Sequence, residues 1–100
     1  MAKDMEVEIY IARLRQHLPT LAARYRVRSL GVFGSYARHE EHAGSDLDLL
    51  VTFDDPPGLL KFVEMENYLS DLLGVKVDLV MRDALKPRIG ERILEEVITV

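Results

Sequence analysis

The chain contains no cysteine, and that one absence removes disulfides, zinc–thiolate sites and thiol nucleophiles together. No apolar run is long enough to cross a bilayer: the stretch from Leu47 to Val51 is already interrupted by Asp48. The N-terminus, Met-Ala-Lys-Asp-Met-Glu, lacks the basic stretch followed by an apolar block that marks a secretory signal. A cytoplasmic location with no membrane contact is expected. There is no dense basic run either. The net charge is −4, and the lysines and arginines are dispersed among acids. Nucleic acid is thereby disfavoured as a direct partner, because gripping a phosphate backbone takes many basic contacts. Internal repeats and low-complexity segments are also absent.

What is present suits a compact fold. The 100 residues are 48% hydrophobic, enough for one small domain over residues 1–100 and too few for a second core. Residues 5–17 have the spacing of an amphipathic helix, and Ile11, Leu14, Leu18, Leu21, Ala22 and Tyr25 continue it. Pro19 predicts a kink there, or the first turn of a second helix. Val27 to Phe33 is a strand ended by Gly34-Ser35. A short polar segment follows, where Ser35 could cap one helical turn. Asp46 to Phe53 is a second strand, and Asp54-Asp55-Pro56-Pro57-Gly58 is a turn. Leu59 to Leu73 is a helix with Leu60, Val63, Leu69, Leu72 and Leu73 as its buried stripe and Gly74 as its stop. Val75 to Met81 is a third strand. A short turn at Asp83-Ala84-Leu85, a helix over Arg88 to Glu96 and a terminal strand over Val97 to Val100 complete the chain. The crossover helix makes strands two and three parallel, and the short connection makes strands one and two antiparallel. The fold class is α+β: a mixed sheet of three to four strands with helices packed mainly on one face.

Aspartate is depleted in strands, yet Ser45-Asp46-Leu47-Asp48-Leu49 carries two, at i and i+2. Alternation puts Asp46 and Asp48 on one face and Leu47, Leu49 and Val51 on the other. Lys76-Val77-Asp78-Leu79-Val80 repeats the arrangement. If the leucine-bearing faces meet the helices, Asp46, Asp48 and Asp78 gather on the open face. Like charges that close disfavour ionisation, and a divalent cation with oxygen ligands resolves the conflict. Taken singly, each aspartate also fits a turn cap or a solvated strand position. Gly34-Ser35 after a strand lets the backbone approach an anion closely, although a Gly-Ser pair alone also fits a plain tight turn. Arg38 fits either a phosphate or an ion pair with Glu40 or Glu41. Lys76 fits either a nucleotide contact or charge balance for Asp78. His39 and His42 cannot fill a zinc shell by themselves, and Arg82, Lys86, Arg88 and Arg92 fit a solvated face.

Together, Gly34-Ser35 and Asp46-Leu47-Asp48, with Asp78 on the following strand, resemble the signature of the nucleotidyltransferase superfamily typified by DNA polymerase beta. The small size and the run Val77-Asp78-Leu79-Val80 ahead of Leu85-Lys86-Pro87 are similar to the minimal nucleotidyltransferases, over residues 18–98. The resemblance implies a nucleotidyltransferase fold with catalytic Asp46, Asp48 and Asp78 holding two Mg²⁺ ions. It implies ATP as substrate, with Gly34 and Ser35 on its phosphates and Arg38 as a further nucleotide contact. It also implies a protein partner, a HEPN-type ribonuclease toxin neutralised by AMP transfer to a tyrosine, in an assembly that could be oligomeric. Two other activities fit the same residues: an antitoxin that neutralises by contact alone, and transfer to a small molecule. The length argues against the last, since little chain is left to wall a second substrate. One departure stands out: many relatives have glycine where this chain has His39.

Overall fold

The computed structural model describes residues 2–100, with side chains from Glu6 onward. The chain runs α1 (Ala2–Tyr25), β1 (Val27–Phe33), β2 (Leu47–Phe53), α2 (Leu59–Leu73), β3 (Val77–Met81), a 3₁₀ turn (Arg82–Ala84), α3 (Pro87–Glu96) and β4 (Ile98–Thr99). The sheet order is β3-β2-β1-β4. β1 pairs antiparallel with β2 and β4, and β2 pairs parallel with β3, as the connection lengths require.

Period-two alternation sets the layers. Leu30, Val32, Leu47, Leu49, Val51, Val77 and Leu79 are buried together with Val7, Ile11, Leu14, Leu21 and Tyr25 of α1 and Met65, Leu69 and Leu73 of α2. The opposite face carries Ser29, Gly31, Asp48, Leu50, Thr52 and Asp78. Leu50 is buried there, in a groove it shares with Leu94 and Val97 from α3 and the segment after it. Gly31 is what lets this segment cross β1, because a Cβ at that position would overlap Val97. So α1 and α2 cover one face, and α3 lies toward the other.

The elements differ from expectation in their bounds and in the inward face of α2. α1 passes unbroken through Pro19, whose ring is exposed. It ends at Arg26, which adopts a left-handed φ of 64° while its N–H still reaches the Ala22 carbonyl at 3.1 Å. On α2, Leu60 and Val63 are 89% and 41% exposed. The inward stripe instead runs Phe62, Met65, Leu69 and Leu72–Leu73, a 3–4 spacing whose angle leaves Leu60 and Val63 outside. Gly74 does stop the helix, at φ 69°, with its N–H on Ser70 O. Finally, β2 and β3 begin at Leu47 and Val77, so Asp46 stands just before its ladder.

β3 is an edge strand, and its outward N–H groups need partners. Two α2 side chains supply them. Ser70 Oγ accepts from Val77 N at 3.0 Å, and a Glu66 carboxylate oxygen accepts from Leu79 N at 2.8 Å. These bonds flank Asp78 in sequence and fix the strand that bears it.

Candidate functional site

Parallel pairing sets Asp48 of β2 directly beside Asp78 of β3. Asp48 is partly buried and Asp78 is exposed at the rim. The Asp48 carboxyl is pushed up to about 6, first by burial, then by the charges of Asp78 and Asp46 and a hydrogen bond with Asp78. Arg38 pulls weakly the other way. Asp46, at the strand entrance, lies 4.0 Å from Lys76 Nζ. Its loop is locked by a reciprocal pair: Ser45 Oγ accepts from His42 N and Ser45 N donates to His42 O, both at 2.9 Å.

Gly34 packs on Asp48. Its φ is 74°, and an added Cβ would overlap Asp48 Oδ2 and come within 3.0 Å of Cγ. A side chain at this position is therefore disfavoured twice, by backbone conformation and by contact. The turn that follows closes on backbone bonds from Arg38 N to Gly34 O (3.1 Å) and Glu40 N to Ser35 O (2.8 Å). Half-buried Ser35 lies at its start. His39 occupies φ 58° in this turn. Histidine tolerates that conformation better than most residues.

Glu96, at the end of α3, was not singled out from the sequence. One carboxylate oxygen accepts from Gly34 N at 2.6 Å, and Arg38 Nη1 donates to both of its oxygens at 3.1 and 3.2 Å. Arg38 also donates to Glu40 at 2.9 Å. The ion pair expected for Arg38 thus forms with Glu40 and Glu96, not with Glu41. The Gly34 amide and Arg38, both suited to an anion, hold a carboxylate.

The donor set facing solvent consists of carboxylate oxygens only, which suits a hard cation. Among the described residues, no three acidic or histidine side chains close at ligand spacing on one point. The arrangement is an open face, not a cage. That fits Mg²⁺, which keeps its waters and combines one or two carboxylates with substrate phosphates. The uncompensated charge around Asp48 is the deficit such an ion would fill.

The fold is that of a minimal nucleotidyltransferase. A solved structure of a candidate minimal nucleotidyltransferase superposes with a TM-score of 0.76 at 40% identity, over 90% of this chain and 92% of that one. The chain belongs to the nucleotidyltransferase domain family, whose profile matches residues 14–100, and it is an enzyme of that class. A candidate protein adenylyltransferase of Methanocaldococcus jannaschii is 52% identical over 87% of this chain and 90% of its own length. The protein adenylyltransferase MntA of Thermococcus cleftensis is 51% identical over 87% of this chain and 88% of its own. The fold is also that of an MNT antitoxin, solved in complex with a tri-AMPylated HEPN toxin from Shewanella oneidensis. The TM-score there is 0.61 at 20% identity, covering 97% of this chain and 70% of that one. Among the described residues, no helix is long and apolar enough to cross a membrane.

The raised Asp48 carboxyl makes a stability prediction. The folded chain binds this proton more tightly than the unfolded chain, so stability falls as pH rises from about 4 to about 6 and stays lower above that. Asp48→Asn removes the penalty. Discounted for partial exposure, the gain is about 1 kcal/mol at pH 7.5, or ~4–8 °C in Tm. In chelator it should vanish near pH 4. Melting curves of both proteins across this range check it.

Proposed function

We propose that this chain uses Mg²⁺ to move AMP from ATP to a hydroxyl of a partner protein, a tyrosine side chain, and that the partner is a HEPN-type ribonuclease toxin which it neutralises as the antitoxin. The observation that carries the reading is the Asp48–Asp78 pair across β2 and β3 with Gly34 packed against it. Open carboxylates beside a glycine turn suit a triphosphate bridged by metal. The names of the relatives supply the class of acceptor.

In this reading Asp46, Asp48 and Asp78 hold the metal. Bound there, Mg²⁺ would lower the pKa of the acceptor hydroxyl and neutralise the leaving oxygens. The acceptor oxygen forms its bond to the α-phosphorus as the bond to pyrophosphate breaks. Asp78, exposed at the rim, can take the hydroxyl proton. Gly34 and Ser35 admit the phosphates close to the backbone, and Arg38 adds charge to their oxygens. The nucleotide must then displace Glu96 from the Gly34 amide. Positioning and charge neutralisation supply most of the rate.

The test is to incubate the chain with ATP, Mg²⁺ and the protein encoded beside it, then weigh that protein by mass spectrometry. The expected result is a gain of one or more AMP units, on tyrosine. A tight complex with no added mass would select neutralisation by contact, and labelling of small metabolites alone would select the third activity.

A further inference from the structure

Glu41 is 3% exposed, and among the described residues neither of its carboxylate oxygens has a hydrogen-bond partner. No step proposed above uses it. A buried carboxylate without donors is one of the most unfavourable arrangements a fold can keep. Glu41 lines a cleft of about 500 Å³ between α1 and the loop that leads into β2. Glu6, Tyr10, Tyr36, Asp46 and Lys76 also face that cleft.

Among the described residues this lining is net negative: Glu6 and Asp46 open onto the cleft, Glu41 is enclosed in its wall, and against these carboxylates stand His42 and one ammonium, Lys76, whose Nζ already lies 4.0 Å from Asp46. Tyr10 and Tyr36 meet edge to face, with ring centroids 5.7 Å apart. Burial, with the neighbouring Tyr10, Glu6 and Glu41, pushes the Tyr36 phenol up to about 12, so the ring stays neutral. Paired carboxylate oxygens beside neutral aromatic rings match a guanidinium, which is planar, donates through a fork and stacks on aromatic faces. Because Asp46 belongs to both the cleft and the proposed metal site, a side chain seated here would hold its protein next to the transferring phosphate.

We infer that Glu41, Glu6 and the Tyr10–Tyr36 pair form a receptor for an arginine side chain of the acceptor protein, which anchors that protein beside Asp46. The inference rests on the protein-modifying reading above for its partner, but the guanidinium site can be tested without any transfer. N-acetylarginine methylamide, titrated into the chain, should give saturable shifts of the Tyr10 and Tyr36 ring resonances. Glu41→Gln should weaken that binding about tenfold or more, and the neutral citrulline analogue should not bind. Absence of saturable shifts, or equal binding by Glu41→Gln or by citrulline, overturns the proposal.

The melting temperature of Glu41→Gln should equal or exceed that of the parent, because no hydrogen bond to the carboxylate is there to lose. A clear fall would mean the carboxylate is already satisfied and would overturn the site. With the protein acceptor, Glu41→Gln should raise the acceptor KM about tenfold while kcat at saturation and the KM for ATP hold. An unchanged acceptor KM removes the anchoring role. A parent chain that binds the arginine probe but transfers no AMP sinks the protein-modifying reading and leaves the guanidinium site standing.

Discussion

Asp46→Asn and Asp48→Asn should each reduce AMP transfer by about a thousandfold or more, while both proteins remain folded. On the proposed mechanism the loss is large because each change removes a formal charge from a site that would neutralise charge at phosphorus, where a single preorganised electrostatic contact is worth roughly 10²–10³ in rate. The two variants should differ in stability. Asp48 is partly buried and pressed by two like charges, so its asparagine variant gains stability at neutral pH. Asp46, 41% exposed, lies beside Lys76, 79% exposed, at the surface, so its replacement should leave the melting temperature nearly unchanged. Mg²⁺ should raise the melting temperature of the parent and do so less in either variant. AMP incorporation from labelled ATP, with melts in Mg²⁺ and in chelator, reads all of this. Full activity in either variant defeats the metal assignment, and activity lost together with the fold would leave it without support.

The legible part of this molecule is the part written in local periodicity. Alternation of Leu47, Asp48 and Leu49, repeated by Val77, Asp78 and Leu79, is enough to put two aspartates on one face, and the register then sets Asp48 beside Asp78. Gly74 and the Asp54–Gly58 turn are likewise local signals. The α2 stripe holds at Leu69, Leu72 and Leu73 and fails at Leu60 and Val63, because an apolar-rich helix allows more than one inward angle. Leu59, Leu60 and Val63 look as suitable as Phe62 and Met65 until the sheet decides. The least legible residues are those whose partners are remote. Glu96 reaches Gly34 across 62 positions, and Glu66 reaches Leu79 across 13. Nothing near Glu96 marks it as the carboxylate that will meet a backbone amide in the turn after β1. Glu41 is hidden for the same reason: in a run of polar residues, only tertiary packing separates the buried one from exposed Glu40 and His42.

Gly34→Ala should cost about a hundredfold or more in transfer, through a residue that contributes no side chain. Two separable effects act at this position. A left-handed φ of 74° disfavours any L side chain by roughly 1–2 kcal/mol. The new methyl would also overlap Asp48 Oδ2, which is the free end of a side chain and can swing away. The fold should therefore survive with Asp48 displaced, and the proposed metal site should fail before the core does. Contact between the two positions makes their changes non-additive. In an Asp48→Ala background the overlaps with Oδ2 and Cγ are gone and only the 3.2 Å approach to Cβ is left, so Gly34→Ala should retain mainly the backbone cost. Urea unfolding of the four proteins in this cycle should show a coupling of about 1 kcal/mol, with the double variant more stable than the sum of the single changes. Strict additivity would mean that Gly34 does not pack on Asp48, and the loss of transfer in Gly34→Ala would then need another cause.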